Sequence, residues 1–302
     1  MSGTMKILIA YDGSSGSEAM LADLKRAGLP RKARAIVMSV AEELIPAPSS
    51  IGGVETPFPK DTFKVEQEAL KLARSGRSVV KTLCPDWEIH AESAIGSPGS
   101  RLLWKAEEWE PNLIIVGSQG RSALGRFFFG SVLQQVLHQA HCAVRVARGA
   151  AKEAEKAVRL IVAVDGSKEA EAAVQAVTTR HWPKGSEARV VNAAWPVPSI
   201  TSDTMAVKVE EWIAAENTRV QEAVEAAVKR LSGIGLITSS VVKEDDPKRL
   251  LCDEAVRWNA ESIFLGAKGM SQIERLVLGS VSSAVAVRAH CSVEVVRADL
   301  PS

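Results

Sequence analysis

Two stretches hold the residues best suited to chemistry. Gly117-Ser118-Gln119-Gly120 is followed, after nine residues, by Gly130-Ser131; Gly266-Ala267-Lys268-Gly269 is followed at the same distance by Gly279-Ser280. Each follows a short apolar run, Leu113 to Val116 or Ile263 to Leu265, and precedes a segment with helical spacing. The order is strand, glycine loop, helix. Such a loop presents backbone N–H groups, and the helix start adds the positive end of its dipole, so the pair suits a phosphate. Glycine permits positive φ and lets backbone approach a ligand without a Cβ in the way. One copy alone reads more simply as an ordinary turn with Ser131 or Ser280 as helix cap. Two copies with the same internal spacing ask for more than a turn.

A second feature recurs at the end of the first strand of each half: Asp12-Gly13-Ser14 and Asp165-Gly166-Ser167. A carboxylate repels a polyphosphate, so Asp12 or Asp165 would act on a sugar hydroxyl, a base amino group or a metal. The plainer reading is an Asx-turn or a helix cap. Arg126 and Arg275 occupy matching places in the nine-residue loops and read either as phosphate partners or as solvated loop arginines. Phe127 to Phe129 read as core or interface anchors.

The elements that must position these groups alternate. Met5–Tyr11, Ala35–Val40, Trp87–Ser93, Leu113–Val116 and Ala143–Ala147 read as strands, with helices over 18–27, 62–83, from Ser97-Pro98 onward (Leu102, Ala106, Trp109 on one face) and around Val132–Ala140. A Pro/Gly/Ser-rich loop runs from Pro46 to Pro59, and loops of that length are usually functional or mobile. Residues 149–157 read as a linker, and from Arg159 the order restarts. The predicted architecture is α/β: two tandem open, five-stranded, mostly parallel sheets with helices on both faces, over residues 1–148 and 158–302. Ligands of such sheets sit beyond the carboxyl ends of strands, where strand order reverses. The terminal strands, Ala143–Ala147 and Val293–Val296, are expected to pair and close each other's open edge, making an intramolecular pseudo-dimer. A further homodimer is compatible with this. The repeat offset is 153 residues at Asp12/Asp165 and 149 at Gly117/Gly266, so the second copy is four residues shorter, with the long middle loop as the expected place.

Composition narrows the function classes. Of 302 residues, 46% are hydrophobic and 24% charged, and the formal charge is +1, which gives no electrostatic case for nucleic acid. No run approaches the about 20 apolar residues of a membrane span, and cytoplasm is the default compartment. Four cysteines are too few for a disulfide framework, and the five histidines form no metal motif. Cys142 and Cys291, at matching positions, read as small buried hydrophobes. There is no Walker lysine, nucleophile elbow or clustered His and carboxylate set.

At Asp12-Gly13-Ser14 and at Gly-x2-Gly-x9-Gly-Ser, in both halves, the chain resembles the universal stress protein family in its tandem form. The glycine pattern is similar to the ATP-binding signature of that family's nucleotide-binding branch. The resemblance implies an adenine-nucleotide α-hydrolase-like, Rossmann-like fold. It also implies ATP or another adenine nucleotide as ligand, with Mg. Gly117, Gly120, Gly130 and Ser131, and in the second half Gly266, Gly269, Gly279 and Ser280, would hold ribose and phosphates. Asp12 and Asp165 would contact the nucleotide, and the backbone at Val40 and Ala193 would meet the adenine. The expected role is regulatory, in stress response, through conformation or partners. The alternatives are a slow ATPase or adenylyl-transfer enzyme, and a nucleotide-free scaffold. Two departures stand out: no proline flanks Cys142 or Cys291, and Asp245-Asp246-Pro247 replaces Gly96-Ser97-Pro98, which would weaken the second site.

Overall fold

In a computed structural model of the chain, residues 4–42, 62–118, 130–148, 155–194, 203–269 and 278–298 are described. The Pro46–Pro59 loop, Gly120, Arg126, Phe127–Phe129, Arg275 and most of the linker lie outside them.

The first half comprises β1 (Lys6–Ala10), α1 (Ser15–Asp23), β2 (Arg34–Ala41), α2 (Thr62–Leu83), β3 (Glu88–Ile95), α3 (Pro98–Trp109), β4 (Leu113–Gly117), α4 (Ser131–Gln139) and β5 (Ala143–Ala147). The second repeats it: β6 (Arg159–Ala163), α5 (Lys168–Thr178), β7 (Glu187–Ala194), α6 (Asp203–Gly233), β8 (Ile237–Glu244), α7 (Pro247–Arg257), β9 (Ser262–Gly266), α8 (Ser280–Arg288) and β10 (Ser292–Val296). Ser14 and Ser167 start α1 and α5 as N-caps, and Pro98 and Pro247 open α3 and α7 where a missing N–H costs nothing.

Among the described residues, the ten strands join one sheet, in the order β3-β2-β1-β4-β5-β10-β9-β6-β7-β8. Within each half the pairing is parallel; β5 and β10 meet antiparallel, Val146 opposite Val293 and Val144 opposite Val295. The expected pairing of the terminal strands is therefore observed, and it turns two five-stranded sheets into one. Strand periodicity divides each apolar run between two faces. Ile7 and Ile9 pack with α1, against Met20 and Leu21. Leu8 faces the other way, into a core that runs through both halves: Leu102, Leu133 and Val136 are continuous with Leu251, Val285 and Ile161.

The four-residue shortening is split. The buried faces of α2 and α6 match as Ala69, Ala73 and Val80 against Val220, Val224 and Leu231, a spacing of 151. Two residues are thus lost before the long helix and two after it. Only the first pair falls in the middle loop; a packed helix keeps its buried stripe and pushes length changes to its ends.

The seam carries charge. Arg145, mid-β5 and fully buried, lies opposite Glu294, equally buried. Its guanidinium donates to Asp23 at 2.6 and 3.1 Å, to Ser262 Oγ at 2.8 Å and to Glu294 at 3.4 Å. Burial opposes its charge, but the two carboxylates outweigh that and raise its pKa. Arg180 also reaches Glu294; there burial wins and the pKa is lowered. Arg148 donates to the carbonyls of Ala286 and Cys291, ending α8, while Arg297 does the same for α4 through Leu137 (2.7 Å) and Cys142. Each half thus caps the other's last helix.

Candidate functional site

Strand order reverses between β1 and β4, and again between β6 and β9. Asp12 lies three residues past Ile9, which pairs with Ile115, so it stands level with Ser118, just after Gly117. It is also level with Val40 on β2, two residues past the Ala10–Met38 pair. The second half repeats the placement: Asp165 is level with Ala193 on β7 and with Ala267, between Gly266 and Lys268. Asp12, Val40 and Gly117, and likewise Asp165, Ala193 and Gly266, therefore gather at one carboxyl edge in each half.

The second copy shows how they meet. A Cβ on Gly269 would lie 2.8 Å from Asp165 Oδ2, so the bare Gly269 backbone and the carboxylate are in contact. Gly279, the N-cap of α8, donates its N–H to Ala267 O at 2.8 Å, which folds the far end of the nine-residue loop back onto its start. Ser282 Oγ sits 2.7 Å from the same carbonyl and 2.9 Å from Gly279 O. Sequence reasoning missed this buried serine because its counterpart at the 149 spacing is Leu133. Ser280 and Ser131 are the exposed first residues of α8 and α4. Gly130 and Gly279 provide no side-chain cap, so neither fills the first turn with its own acceptor.

Two expected residues have plainer uses. Gly266 makes room for helix α5: a Cβ there would lie 2.5 Å from Glu169 Cβ and 2.9 Å from Ala170 N. The Asx-turn reading of the aspartates is also realised. Asp12 Oδ1 accepts from Ser14 N at 3.0 Å and from Ser14 Oγ at 2.6 Å, and Asp165 Oδ1 accepts from Ser167 N at 3.0 Å. The turn engages Oδ1 of Asp165 and leaves Oδ2 facing Gly269.

The surroundings differ between copies. In the first, Tyr11 donates to Glu18, and its ring packs where a Gly76 side chain would stand, 2.8 Å away. Burial, then Glu18, pushes the Tyr11 phenol up to about 12. In the second, Val164 takes that place, and Arg219 from α6 reaches the Asp165 turn, donating to Gly166 O at 3.0 Å. Arg219 was also missed; a helix arginine gives no sign in sequence of the turn it will meet. Asp245 and Asp246 are engaged locally, Asp246 capping Lys248 and Arg249 and Asp245 pairing with Arg249, which holds its carboxyl below the usual range. Among the described residues, no three His, Cys, Asp or Glu side chains cluster as metal ligands, and no helix is long and apolar enough to cross a membrane.

The sequence model of the universal stress protein family matches residues 3–148 and again 158–297. The chain belongs to the universal stress protein family. Among relatives, universal stress protein Rv2005c of Mycobacterium tuberculosis is 28% identical over 258 residues, covering 80% of this chain and 81% of that protein. Universal stress protein MJ0531 of Methanocaldococcus jannaschii is 36% identical over 89 residues, 29% of this chain and 48% of its own length, so that match spans about half of the relative. The crystal structure of a universal stress protein from Archaeoglobus fulgidus superposes with a TM-score of 0.62 at 18% identity, covering 97% of this chain and 96% of that one. That likeness is one of fold.

Proposed function

We propose that this universal stress protein binds ATP or another adenine nucleotide at the carboxyl edge of each half and acts through the conformation or partner binding that the nucleotide sets. The observation that carries the reading is the contact between the Asp165 carboxylate and the bare Gly269 backbone at a topological switch point, with Asp12 and Gly117 in the matching register. The residues fit the ligand chemically. A Cβ at Gly269 would fill the space beside the carboxylate, and Gly130 and Gly279 leave first-turn N–H groups uncapped for phosphate oxygens. Asp12 and Asp165 suit a sugar hydroxyl or amino donor. A divalent ion would arrive with the phosphates, since no three metal-ligating side chains cluster among the described residues. Backbone at Val40 and Ala193 stands level with the aspartates, as an adenine contact requires. A regulatory role fits better than a catalytic one because the named groups can hold a nucleotide without supplying an acid–base pair.

The scaffold reading has one observation in its favour: Gly266 is explained by helix packing alone. Mass analysis of small molecules released from the purified, denatured chain separates the two. An adenine nucleotide at up to two per chain supports the proposal. A chain that releases none, and takes up none from Mg-ATP in calorimetry, overturns it. Gly269→Val, which drives a side chain into the Asp165 carboxylate, should remove about half of the bound nucleotide and leave the fold intact.

A further inference from the structure

The long helix covers its strands less closely in the second half than in the first. Strand periodicity puts Ala188, Val190 and Asn192 of β7, and Thr238, Ser240 and Val242 paired with them on β8, on the face that α6 covers. In the first half the Tyr11 ring packs under α2 against Gly76 and Val37, and Arg77 crosses from α2 to the Ile89 carbonyl at 2.9 Å. Val164 stands for Tyr11 at the 153 spacing and Val228 for Arg77 at 151, and neither side chain reaches as far. Between α6 and the carboxyl ends of β7 and β8 there remains a hollow of about 480 Å³.

Asn192 lines that hollow and is 5% exposed. Its Nδ2 donates to Val164 O at 2.7 Å, which fixes the amide and leaves Oδ1 over. Among the described residues this Oδ1 has no hydrogen-bond partner. Buried polar atoms are normally paired, so an orphan acceptor at a hollow calls for a donor from outside the chain. The first half makes no such demand: Ser39, at the same repeat position, donates its hydroxyl to Tyr11 O at 2.6 Å. The charge around Asn192 has one sign. Glu222 and Glu225 line the hollow, the latter accepting from Gln221 Nε2 at 2.8 Å. Among the described residues no lysine or arginine lines it: Arg219 is engaged by Glu216 and Gly166 O, and Lys229 lines an adjoining hollow. The nucleotide edge lies on the other face of the sheet, where Ala193 packs with the core under α7 and α8.

We infer that this hollow binds a small organic amine in its ammonium form: Asn192 Oδ1 accepts one N–H, and Glu222 and Glu225 balance the positive charge. An ammonium carries donors and no acceptor, so it meets the stranded oxygen and the carboxylates together. A neutral polyol would satisfy the oxygen and leave the carboxylates unmatched, and an anion would be repelled. Val220 and Val242, which also line the hollow, suit the methylene stem. The inference does not use the nucleotide reading, and either stands if the other fails.

The test is calorimetry on the full chain with putrescine as the ammonium probe and butanediol as its uncharged counterpart. Putrescine should bind in equimolar ratio to the chain, and butanediol about tenfold more weakly or worse. Asn192→Ser copies the first half and keeps a donor for Val164 O, so the melting temperature should hold while putrescine affinity falls about tenfold, as loss of a charge-assisted hydrogen bond requires. Glu222→Gln, on the exposed side of α6, should lower affinity about threefold. Gly269→Val, on the other face, should leave it unchanged; a loss there would put the amine at the nucleotide edge and overturn the separate site. A chain that binds no putrescine, binds butanediol equally well, or keeps its putrescine affinity in Asn192→Ser overturns the inference. If Asn192→Ser does not fold, Glu222→Gln decides alone, and unchanged affinity in it overturns the inference.

Discussion

Arg145→Met is the sharpest test of how the halves are held. The side chain is fully buried and supplies four polar contacts at 2.6 to 3.4 Å, to Asp23, Ser262 and Glu294. Methionine fills much of the volume but removes one of two cations that face two carboxylates, leaving Asp23 and Glu294 with Arg180 alone. Removing one partner of a buried pair costs about 3–5 kcal/mol, mostly from the stranded opposite charge. Against a typical total of about 5–15 kcal/mol, that is a large share. Urea denaturation followed by tryptophan fluorescence should show the midpoint fall by a matching amount with the slope unchanged. Adding Asp23→Asn restores one cation to one carboxylate, so the double variant should be more stable than Arg145→Met alone. A single-variant loss below about 1 kcal/mol, or a double variant that is strictly additive, would refute the stranded-charge argument.

Other outcomes follow from the same seam. Gly28 has φ +64, and a Cβ there would lie 2.7–2.9 Å from the Trp182 ring, so Gly28→Ala should cost about 2–4 kcal/mol and shift Trp182 fluorescence; a neutral result would mean the two halves do not meet there. Arg297→Ala removes the cap from α4 and should cost about 1–2 kcal/mol in urea, with Arg148→Ala matching it at α8. Burial pushes the Cys142 and Cys291 thiols up to about 12 from an unfolded value of 9.0. The unfolded chain therefore sheds these protons first, and stability should fall as pH rises from 9 towards 12 while being insensitive to them below 9. Cys142→Ala should flatten that alkaline slope. Rapid alkylation of either thiol in the native chain at pH 8 would contradict the burial.

The local architecture was open to inspection in the sequence because its signals are short-range. The α2 span and the β5 span emerged from periodicity alone, and the duplication placed the strand edges opposite each other. Asp12 and Asp165 were legible as site candidates and as Asx-turns together, and the structure shows the turn without removing Oδ2 of Asp165 from the edge. Three features were not legible. The opposite charges of Arg145 and Glu294 sit in the middle of otherwise apolar strands at the 149 spacing, a visible oddity whose meaning depends on antiparallel register. Arg219 and Ser282 act through tertiary contacts, which no local pattern encodes. Gly266 resembled a ligand glycine because packing against a helix and approach to a phosphate make the same demand, a missing Cβ.

The hydrophobic layer under α3, α4, α7 and α8 has no boundary at the seam: Val144, Val146, Val293 and Val295 belong to the same cluster as residues from either end of the chain. The molecule should consequently melt as one cooperative unit, in a single calorimetric peak. A ligand lodged in either half then protects all ten strands against heat and proteases by mass action. Under the proposed nucleotide reading, filling either pocket would thus be expressed across the whole sheet, including the half that holds no ligand.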